Sequence, residues 1–507
     1  MSHNEIFSFD PSHVEPLEET SPEQVTEAML TARTVFSIWK DYTLAQRLEY
    51  MKQLRLYLVE HSENIVQKIV LETGKVPVEA LMTEVFTTIE LIRYYEKHAS
   101  SILKAKKVST PLFMYGRQSE VIYRPMGVIG IVSPEIQPFQ SAMIPIVTAL
   151  IAGNTILLCP SKPLSALHHL FEEIFAAISL PTGAVQILSG GNRVAELLVE
   201  AKPAKMYISG SSHASKRIYQ KASEQMIPVE LQLGGKDAMI VFADADLERA
   251  TNAAVWGAFN NSGQSRATID RLYVEYSVYG ALITRLKEKT EALRIGQGHE
   301  AEMGSISSVR QLQLLQQQIA DAVQKGATLL CGGKQIDENH LYFEPTILVD
   351  VDHTMKIMKE ETNGPVIAVM PFSTDEEAIR LANDSDYGLG CSIWSRSTKR
   401  LEMAVQQMEV RNICLNDIHA QMNNPNLPMS GMKQSGFGTT YGPDGLLAYC
   451  HPISIMTYKG SKAEEFTWYP YDLNQYETFQ MLIQSFYGKK KKLAPKEMKE
   501  LYDKLMK

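Results

Sequence analysis

Short apolar runs rich in β-branched residues alternate with helical patterns, and this alternation constrains the fold more than any other feature. Four such runs are Val128–Val132, Thr155–Leu158, Val185–Leu188 and Lys205–Ile208. Apolar strands separated by helices are typical of right-handed βαβ units in a parallel sheet. In such a sheet a ligand binds beyond the carboxyl ends of the strands. The alternation therefore predicts an α/β protein with its site at that edge.

The N-terminal part of the chain shows helical patterns instead. Ser21–Gln24 and Thr43–Gln46 are both typical of capping boxes, which mark the start of a helix. A third helical run leads to Gly74, and a fourth covers Val78–Ser100. We expect these helices to pack as scaffold against the core.

Composition bounds the class of protein. The 507 residues are 45% hydrophobic and 21% charged, which is ordinary for a globular chain of several domains. A formal net charge of −8 gives no reason to expect nucleic acid as a partner. The five cysteines lack metal-ligand spacing, so we expect reduced thiols and no metal. No long apolar stretch or leader is visible, so we expect a cytoplasmic protein.

One stretch, Val229–Val274, carries glycines and polar residues on both sides of an apolar strand. It opens with Leu231-Gln232-Leu233-Gly234-Gly235-Lys236, passes through Ala238–Phe242 and ends at Gly263-Gln264-Ser265-Arg266-Ala267. A second motif runs through Pro428–Gly438, with Gly431, Lys433, Ser435 and Gly436 inside it. With these motifs the chain resembles the aldehyde dehydrogenase superfamily over about residues 20 to 457.

The resemblance implies the aldehyde dehydrogenase fold, with a Rossmann-like parallel-sheet domain, a second α/β domain and an oligomerisation hairpin. The expected boundaries are 1–106 and 125–236 for the Rossmann-like domain, 237–442 for the catalytic-type domain, 107–124 and 443–460 for the oligomerisation element, and 461–507 for a C-terminal extension. Covering the exposed sheet edges of such an element predicts a homo-oligomer, either a dimer or a tetramer.

The resemblance places three catalytic positions of the family on residues that cannot do the chemistry. The nucleophilic Cys falls on Arg266, the general-base Glu on Gln232 and the oxyanion-binding Asn on Ile136. An amide cannot take up a proton at neutral pH, and a guanidinium is neither nucleophile nor base. We therefore predict that no catalytic residue is intact.

The cofactor contacts of the family are only partly retained. Gly210 and Ser211 open a predicted helix, whose free N–H groups suit a pyrophosphate, and Glu361 matches a ribose contact. Two other ribose contacts fall on Cys159 and Lys162. Helix capping explains Gly210-Ser211 equally well. Binding of NAD or NADP through Gly210, Ser211 and Glu361 therefore stays open.

A guanidinium at position 266 needs a charge partner if the position is buried as it is in the family. The carboxylates that we expect near it are Glu135, which replaces a family Trp, and Glu361. We predict that Arg266 pairs with one of them or else holds an anionic ligand.

Three functions follow from these residues. The first is a catalytically inactive family member that acts by binding or assembly, with an active relative as one partner. The second is an NAD(P)-dependent oxidoreductase that acts on aldehydes through a non-standard site. The third is anionic-ligand binding at Arg266.

The C-terminal tail is basic at Lys489–Lys492, and from Pro495 onward it places Met498, Leu501 and Leu505 on one helical face. We expect a solvated tail and no membrane contact, although docking of that apolar face on a membrane surface or a partner stays open.

Overall fold

The computed structural model describes residues 17–111, 114, 116–160, 165–337, 341–418, 424–460, 463–465 and 467–488. Lys162 and the predicted helical segment after Pro495 lie outside these residues. No helix in the described ranges combines the length and the apolar character needed to cross a membrane.

The helices and strands alternate after the N-terminal helices. The helices are α1 (Pro22–Trp39), α2 (Leu44–Glu60), α3 (Ser62–Thr73), α4 (Pro77–Ala80), α5 (Thr87–Ile102), α6 (Pro138–Ala152), α7 (Ser165–Ala177), α8 (Asn192–Glu200), α9 (Ser212–Glu224), α10 (Leu247–Phe259), α11 (Tyr276–Glu291), α12 (Val309–Gln324), α13 (Lys356–Lys359), α14 (Asp375–Asn383), α15 (Thr398–Gln407), α16 (Gly442–Leu447) and α17 (Leu473–Tyr487). The strands are β1 (Lys106–Val108), β2 (Arg117–Pro125), β3 (Val128–Ser133), β4 (Thr155–Pro160), β5 (Val185–Ile187), β6 (Lys205–Ser209), β7 (Val229–Gln232), β8 (Asp237–Val241), β9 (Ile269–Glu275), β10 (Thr328–Cys331), β11 (Thr346–Val349), β12 (Val366–Phe372), β13 (Gly390–Trp394), β14 (Asn412–Leu415), β15 (Gly436–Phe437) and β16 (Cys450–Tyr458).

The predicted capping boxes are confirmed. The Ser21 side chain accepts from Gln24 N and that of Thr43 from Gln46 N, which start α1 and α2. The predicted fourth helix is helical but interrupted, because a π-helical segment, Leu81–Phe86, lies between α4 and α5. Threonine hydroxyls in and after this segment donate to backbone carbonyls four residues earlier, and this bonding is known to bend helices.

The first sheet contains all four apolar runs predicted as strands, which confirms the α/β class. Its order is β15-β7-β6-β3-β4-β5. Strands β7, β6, β3, β4 and β5 pair in parallel, and β15 pairs antiparallel to β7. Because the strands are parallel, β3, β4, β6 and β7 end at one edge of the sheet, at Ser133, Pro160, Ser209 and Gln232. This edge carries the candidate site.

The second sheet has the order β10-β11-β12-β9-β8-β13-β14, with β10 antiparallel to β11 and the other neighbours parallel. Strand β9 forms its centre, between β8 and β12. A 3-10 helix, Asn260–Gly263, and the turn after it lead into β9, so Arg266 lies just before the amino end of this strand. The C-terminal glycine motif contributes β15 to the first sheet, and the domain boundaries drawn from the sequence stay predictions.

The chain divides into two compact units, Met1–Lys104 with Tyr123–Ile453, and Ala105–Ile122 with Ser454–Lys507. In the second unit, β1 pairs antiparallel with β2, with Lys106 opposite Val121. The three-stranded sheet has the order β1-β2-β16. Helix α17, which the sequence analysis missed, also belongs to this unit.

Candidate active site

Gln232 and Arg266 meet at the carboxyl edge of the first sheet. Gln232 is the last residue of β7 and fully buried, and Arg266 is 8% exposed. The Arg266 Nη1 donates a hydrogen bond of 3.4 Å to Gln232 Oε1. The structure thus brings together the two positions that the sequence analysis assigned to a nucleophile and a base, with an amide and a guanidinium in their place.

The loop before Arg266 has a specific backbone conformation. Asn261, Ser262 and Gly263 all have positive φ angles, of 52°, 56° and 67°. A Cβ at Gly263 would lie 2.1 Å from the carbonyl oxygen of Gly364, so glycine is required there for space as well as for conformation. Asn261 Nδ2 donates to the Ile136 carbonyl oxygen at 3.1 Å, which ties the third predicted catalytic position to this loop. The Ile136 side chain has no polar atom to offer an oxyanion.

Gln232 also belongs to a buried polar chain behind Arg266. Gln232 Nε2 donates to Glu230 Oε1 at 3.2 Å, and Thr440 Oγ1 donates to the same oxygen at 3.2 Å. Glu230 Oε2 forms a 2.8 Å ion pair with Lys205 Nζ, and both side chains are buried. Glu230 and Lys205 balance each other in charge. Arg266 therefore adds a positive charge that no further carboxylate balances within the part of the chain that the structure describes.

The positive charge of Arg266 affects the pKa of two buried tyrosines. Burial raises the pKa of Tyr207 to about 12, and the positive charge of Arg266 acts against that rise. Burial also raises the pKa of Tyr441, again opposed by Arg266. Both hydroxyls are therefore neutral near pH 7 and serve as hydrogen-bonding groups near the guanidinium.

The predicted ion pair of Arg266 with Glu135 or Glu361 is wrong. Within the described residues, the Arg266 guanidinium forms no ion pair with a carboxylate, and its Nε has no hydrogen-bond partner. Glu361 is already engaged, because its Oε2 accepts from Ser212 Oγ at 3.2 Å. Glu135 accepts from Ser307 Oγ at 3.5 Å. The side chain that accepts from Arg266 is instead the neutral amide of Gln232.

The three predicted cofactor residues lie close together. Gly210 and Ser211 precede α9, where Ser211 is the N-cap residue without a side-chain capping bond. Glu361 reaches Ser212, the first residue of α9, and accepts from both its hydroxyl and its backbone N–H. Burial raises the pKa of Glu361, and the hydrogen bonds of Ser212 act against that rise. Glu361 thus occupies the helix N-terminus at which an anionic phosphate would bind.

Glu361 fits there because Gly234 has no side chain. A Cβ at Gly234 would lie 1.6 Å from Glu361 Oε1. Gly234, in the connection between β7 and β8, therefore makes room for the Glu361 carboxylate. This packing explains why a glycine is needed here without any role in catalysis.

Four of the five cysteines are poorly suited to replace the nucleophile. Cys159 is fully buried, its Sγ donates to the Gly190 carbonyl at 3.5 Å, and burial raises the pKa of its thiol to about 12. Burial also raises the pKa of Cys450 to about 11 and that of Cys391 and Cys331. These thiols are neutral near pH 7, whereas the thiolate is the nucleophilic form. Among the described residues no cluster of His, Cys, Asp and Glu could hold a metal ion.

Comparison with known proteins decides the family. The model of the "Aldehyde dehydrogenase family" matches residues 2–455. The chain belongs to the aldehyde dehydrogenase family. A 4,4'-diapolycopene aldehyde oxidase from Methylomonas sp is 36% identical over 470 residues, covering 92% of this chain and 88% of that protein. The chloroplastic betaine aldehyde dehydrogenase of Atriplex hortensis is 32% identical over 444 residues, or 84% of this chain and 87% of that protein.

Solved structures of the aldehyde dehydrogenase family share the fold. Betaine aldehyde dehydrogenase from Staphylococcus aureus, in complex with NAD+, matches with a TM-score of 0.83 at 26% identity. The match covers 90% of this chain and 91% of that one. The fold and the family predicted from the motifs are therefore confirmed.

The sequence analysis missed the polar chain that adjoins this aldehyde dehydrogenase site. Tyr207 lies opposite Glu230 in the β6–β7 register, and Lys205 is two residues before Tyr207 on the same face. The available signal was a lysine and a glutamate within runs that otherwise pack in the core. Charged residues are almost never fully buried unless they are paired, so two of them on adjacent buried strands indicate an ion pair.

Proposed function

We propose that this aldehyde dehydrogenase-family protein does not oxidise aldehydes by the covalent route and acts instead by binding or assembly. The observation that carries the proposal is the buried Arg266 guanidinium in contact with the Gln232 amide. The covalent route needs a nucleophile at the first position and a base at the second. Neither side chain can supply its part.

Magnitudes support this choice over a slow conventional enzyme. Losing an oxyanion donor costs roughly 10²–10³ in rate and losing a general base roughly 10²–10⁴. Removing a nucleophile that acts as part of a unit costs on the order of 10⁶, and such losses do not simply add. With Ile136, Gln232 and Arg266 in place, the covalent rate falls below ordinary detection.

The residues fit a nicotinamide dinucleotide in part. Gly210 and Ser211 would hold the pyrophosphate at the start of α9, and Glu361 would hold a ribose hydroxyl. Such a cofactor accepts hydride when bound. A phosphate bound here would compete with Glu361 for the Ser212 N–H, because both accept from that donor. Cys159, which stands where the family has a ribose contact, is buried and its Sγ donates to the Gly190 carbonyl oxygen, so it does not replace the lysine of the family there. We propose weakened NAD or NADP binding, which isothermal titration measures directly.

The proposed assembly is a homo-oligomer, a dimer or tetramer, with an active relative as a further candidate partner. Strand β1 lies at one end of the three-stranded sheet and has three consecutive exposed residues, Lys106–Val108, so a strand of another chain could extend the sheet there. Light scattering at micromolar concentration tests this. A species of 56.9 kDa alone, the mass of one chain, would contradict it.

Binding of an anionic ligand at Arg266 is the second candidate function. The specific observation is the buried Arg266 Nε, which lacks a hydrogen-bond partner among the described residues. A carboxylate can accept two parallel hydrogen bonds from a guanidinium and supplies the missing negative charge. Butyrate and octanoate, each compared with the corresponding alcohol in thermal denaturation, would stabilise the wild type but not Arg266→Met.

An aldehyde panel tests the leading proposal. Short, long and aromatic aldehydes with NAD or NADP should give no reduced nicotinamide above a control without protein. An active family member serves as the positive control. Turnover on the order of 1 s⁻¹, ordinary for an enzyme, would support an oxidoreductase with a non-standard site instead.

A further inference from the structure

Helix α17 in the second unit exposes an apolar face beside its two buried residues. Thr478 and Leu482 are its buried residues. Residues at spacings of three and four share one side of a helix. The exposed apolar residues at such spacings are Tyr476, Phe479, Ile483 and Phe486. A face of this kind on a helix is typical of an interaction surface rather than of scattered surface residues.

The segment before α17 extends the apolar surface with aromatic rings. Trp468, Tyr469 and Tyr471 are exposed, and the rings of Tyr469 and Tyr471 lie 4.5 Å apart between centroids. Leu473, the first residue of the helix, is also exposed. Trp and Tyr have an apolar body with a polar end, and they concentrate where a lipid bilayer meets water.

The chain that follows α17 carries a charge opposite to that of the whole protein. From Lys489 to Lys507 there are eight lysines and three acidic residues, a net charge of +5, whereas the chain as a whole carries −8. A run of lysines directly after an apolar helix is a recognised attractor of anionic lipid headgroups.

We propose that α17 docks on an anionic lipid surface, with its aromatic face in the headgroup region and the following lysines on the lipid phosphates. A second copy of the chain is the competing occupant of this face. A second copy would offer this lysine-rich sequence the same positive charge rather than the opposite one. Lipid phosphate supplies the opposite charge and a planar apolar boundary, so the charge favours the membrane surface.

Sedimentation of the full-length protein with vesicles tests the proposal. We expect binding to vesicles with about a third phosphatidylglycerol in phosphatidylcholine, and weak binding to phosphatidylcholine alone. Binding should weaken at about 0.5 M NaCl, since salt screens the attraction. Ile483→Ser combined with Phe486→Ser should lower the partition coefficient about tenfold or more, because two apolar side chains no longer enter the interface.

A matched control tests whether the loss of vesicle binding is specific to the apolar face of α17. Ile38 in α1 is 57% exposed, close to the 59% of Ile483, and Leu30 of the same helix is also exposed. Leu30→Ser combined with Ile38→Ser should leave the partition coefficient unchanged. Replacing Lys489–Lys492 with glutamine should lower binding to the anionic vesicles at least tenfold.

Three outcomes would overturn the proposal. The first is absence of binding to the anionic vesicles, and the second is equal binding to both kinds of vesicle. The third is an Ile483→Ser, Phe486→Ser variant that binds vesicles normally but changes its mass in light scattering, which would assign the face to a second copy of the chain. Retained far-ultraviolet circular dichroism shows that the variants are folded.

Discussion

Replacing Arg266 with methionine should leave the free energy of unfolding nearly unchanged or raise it. The guanidinium is buried, its hydrogen bond to Gln232 is 3.4 Å long, and its Nε has no partner among the described residues. Methionine fills a similar volume without a charge. The substitution therefore removes a poorly satisfied cation from the interior.

The opposing contributions have similar size. Loss of the hydrogen bond leaves Gln232 Oε1 without its donor, at a cost of roughly 1–3 kcal/mol. Removal of the buried Nε relieves a penalty of roughly the same size. Removal of a buried charge without a carboxylate partner adds further stabilisation, since the effective burial penalty is several kcal/mol. We expect a net change between roughly zero and a gain of a few kcal/mol.

Lys205→Met is the matched control, because Lys205 is a buried cation of the same network with a full ion pair. Its Nζ lies 2.8 Å from Glu230 Oε2 and 3.0 Å from the Ala448 carbonyl oxygen. Breaking this pair leaves Glu230 buried and unpaired, which should cost about 3–5 kcal/mol. Urea denaturation at neutral pH measures both variants. If Arg266→Met lost as much stability as Lys205→Met, the assignment of Arg266 as a cation without a charge partner would be refuted.

Two further substitutions test the local structure. Gly263→Ala should lower the free energy of unfolding by about 3 kcal/mol or more, since its Cβ would lie 2.1 Å from the Gly364 carbonyl oxygen. The control Gly280→Ala in α11, where a Cβ would meet nothing within 4 Å, should raise the free energy of unfolding by about 0.5–1 kcal/mol. Equal denaturation midpoints of the two variants would contradict the first expectation. Burial raises the pKa of Glu79 from 4.5 to about 7, so the folded state holds this proton more tightly and stability should fall as pH rises through that window. Glu79→Gln should remove about 3 kcal/mol of that fall between pH 4.5 and 7, measured as the difference between variant and wild type, and parallel pH profiles would count against it.

Much of the fold could be predicted because its signals are local. Apolar runs predicted four of the six strands of the first sheet to within two residues, and the side chains of Ser21 and Thr43 marked two helix starts. The same local logic was available for α17, where the Asp472 side chain accepts from Gln475 N. This capping box was overlooked because the expected family likeness ends before it.

The site could be predicted only in part because partners come from distant segments. The family motifs assigned Gln232 and Arg266 to two positions of one site, and the structure shows that the two side chains meet. Nothing local told which acceptor the guanidinium would reach. Glu361 was a reasonable candidate, but Ser212 and the space above Gly234 hold it elsewhere. The choice among carboxylates depended on tertiary packing that a pattern of spacing does not contain.

The rate of nicotinamide reduction in a restoration series tests the central claim most directly. Wild type, Arg266→Cys, and the triple variant Ile136→Asn, Gln232→Glu, Arg266→Cys are compared with one aldehyde and saturating NAD or NADP. The account predicts that wild type and Arg266→Cys match the control without protein, and that only the triple variant produces reduced nicotinamide. Wild-type turnover on the order of 1 s⁻¹, full activity of Arg266→Cys alone, or a folded, cofactor-bound triple variant without activity would contradict it.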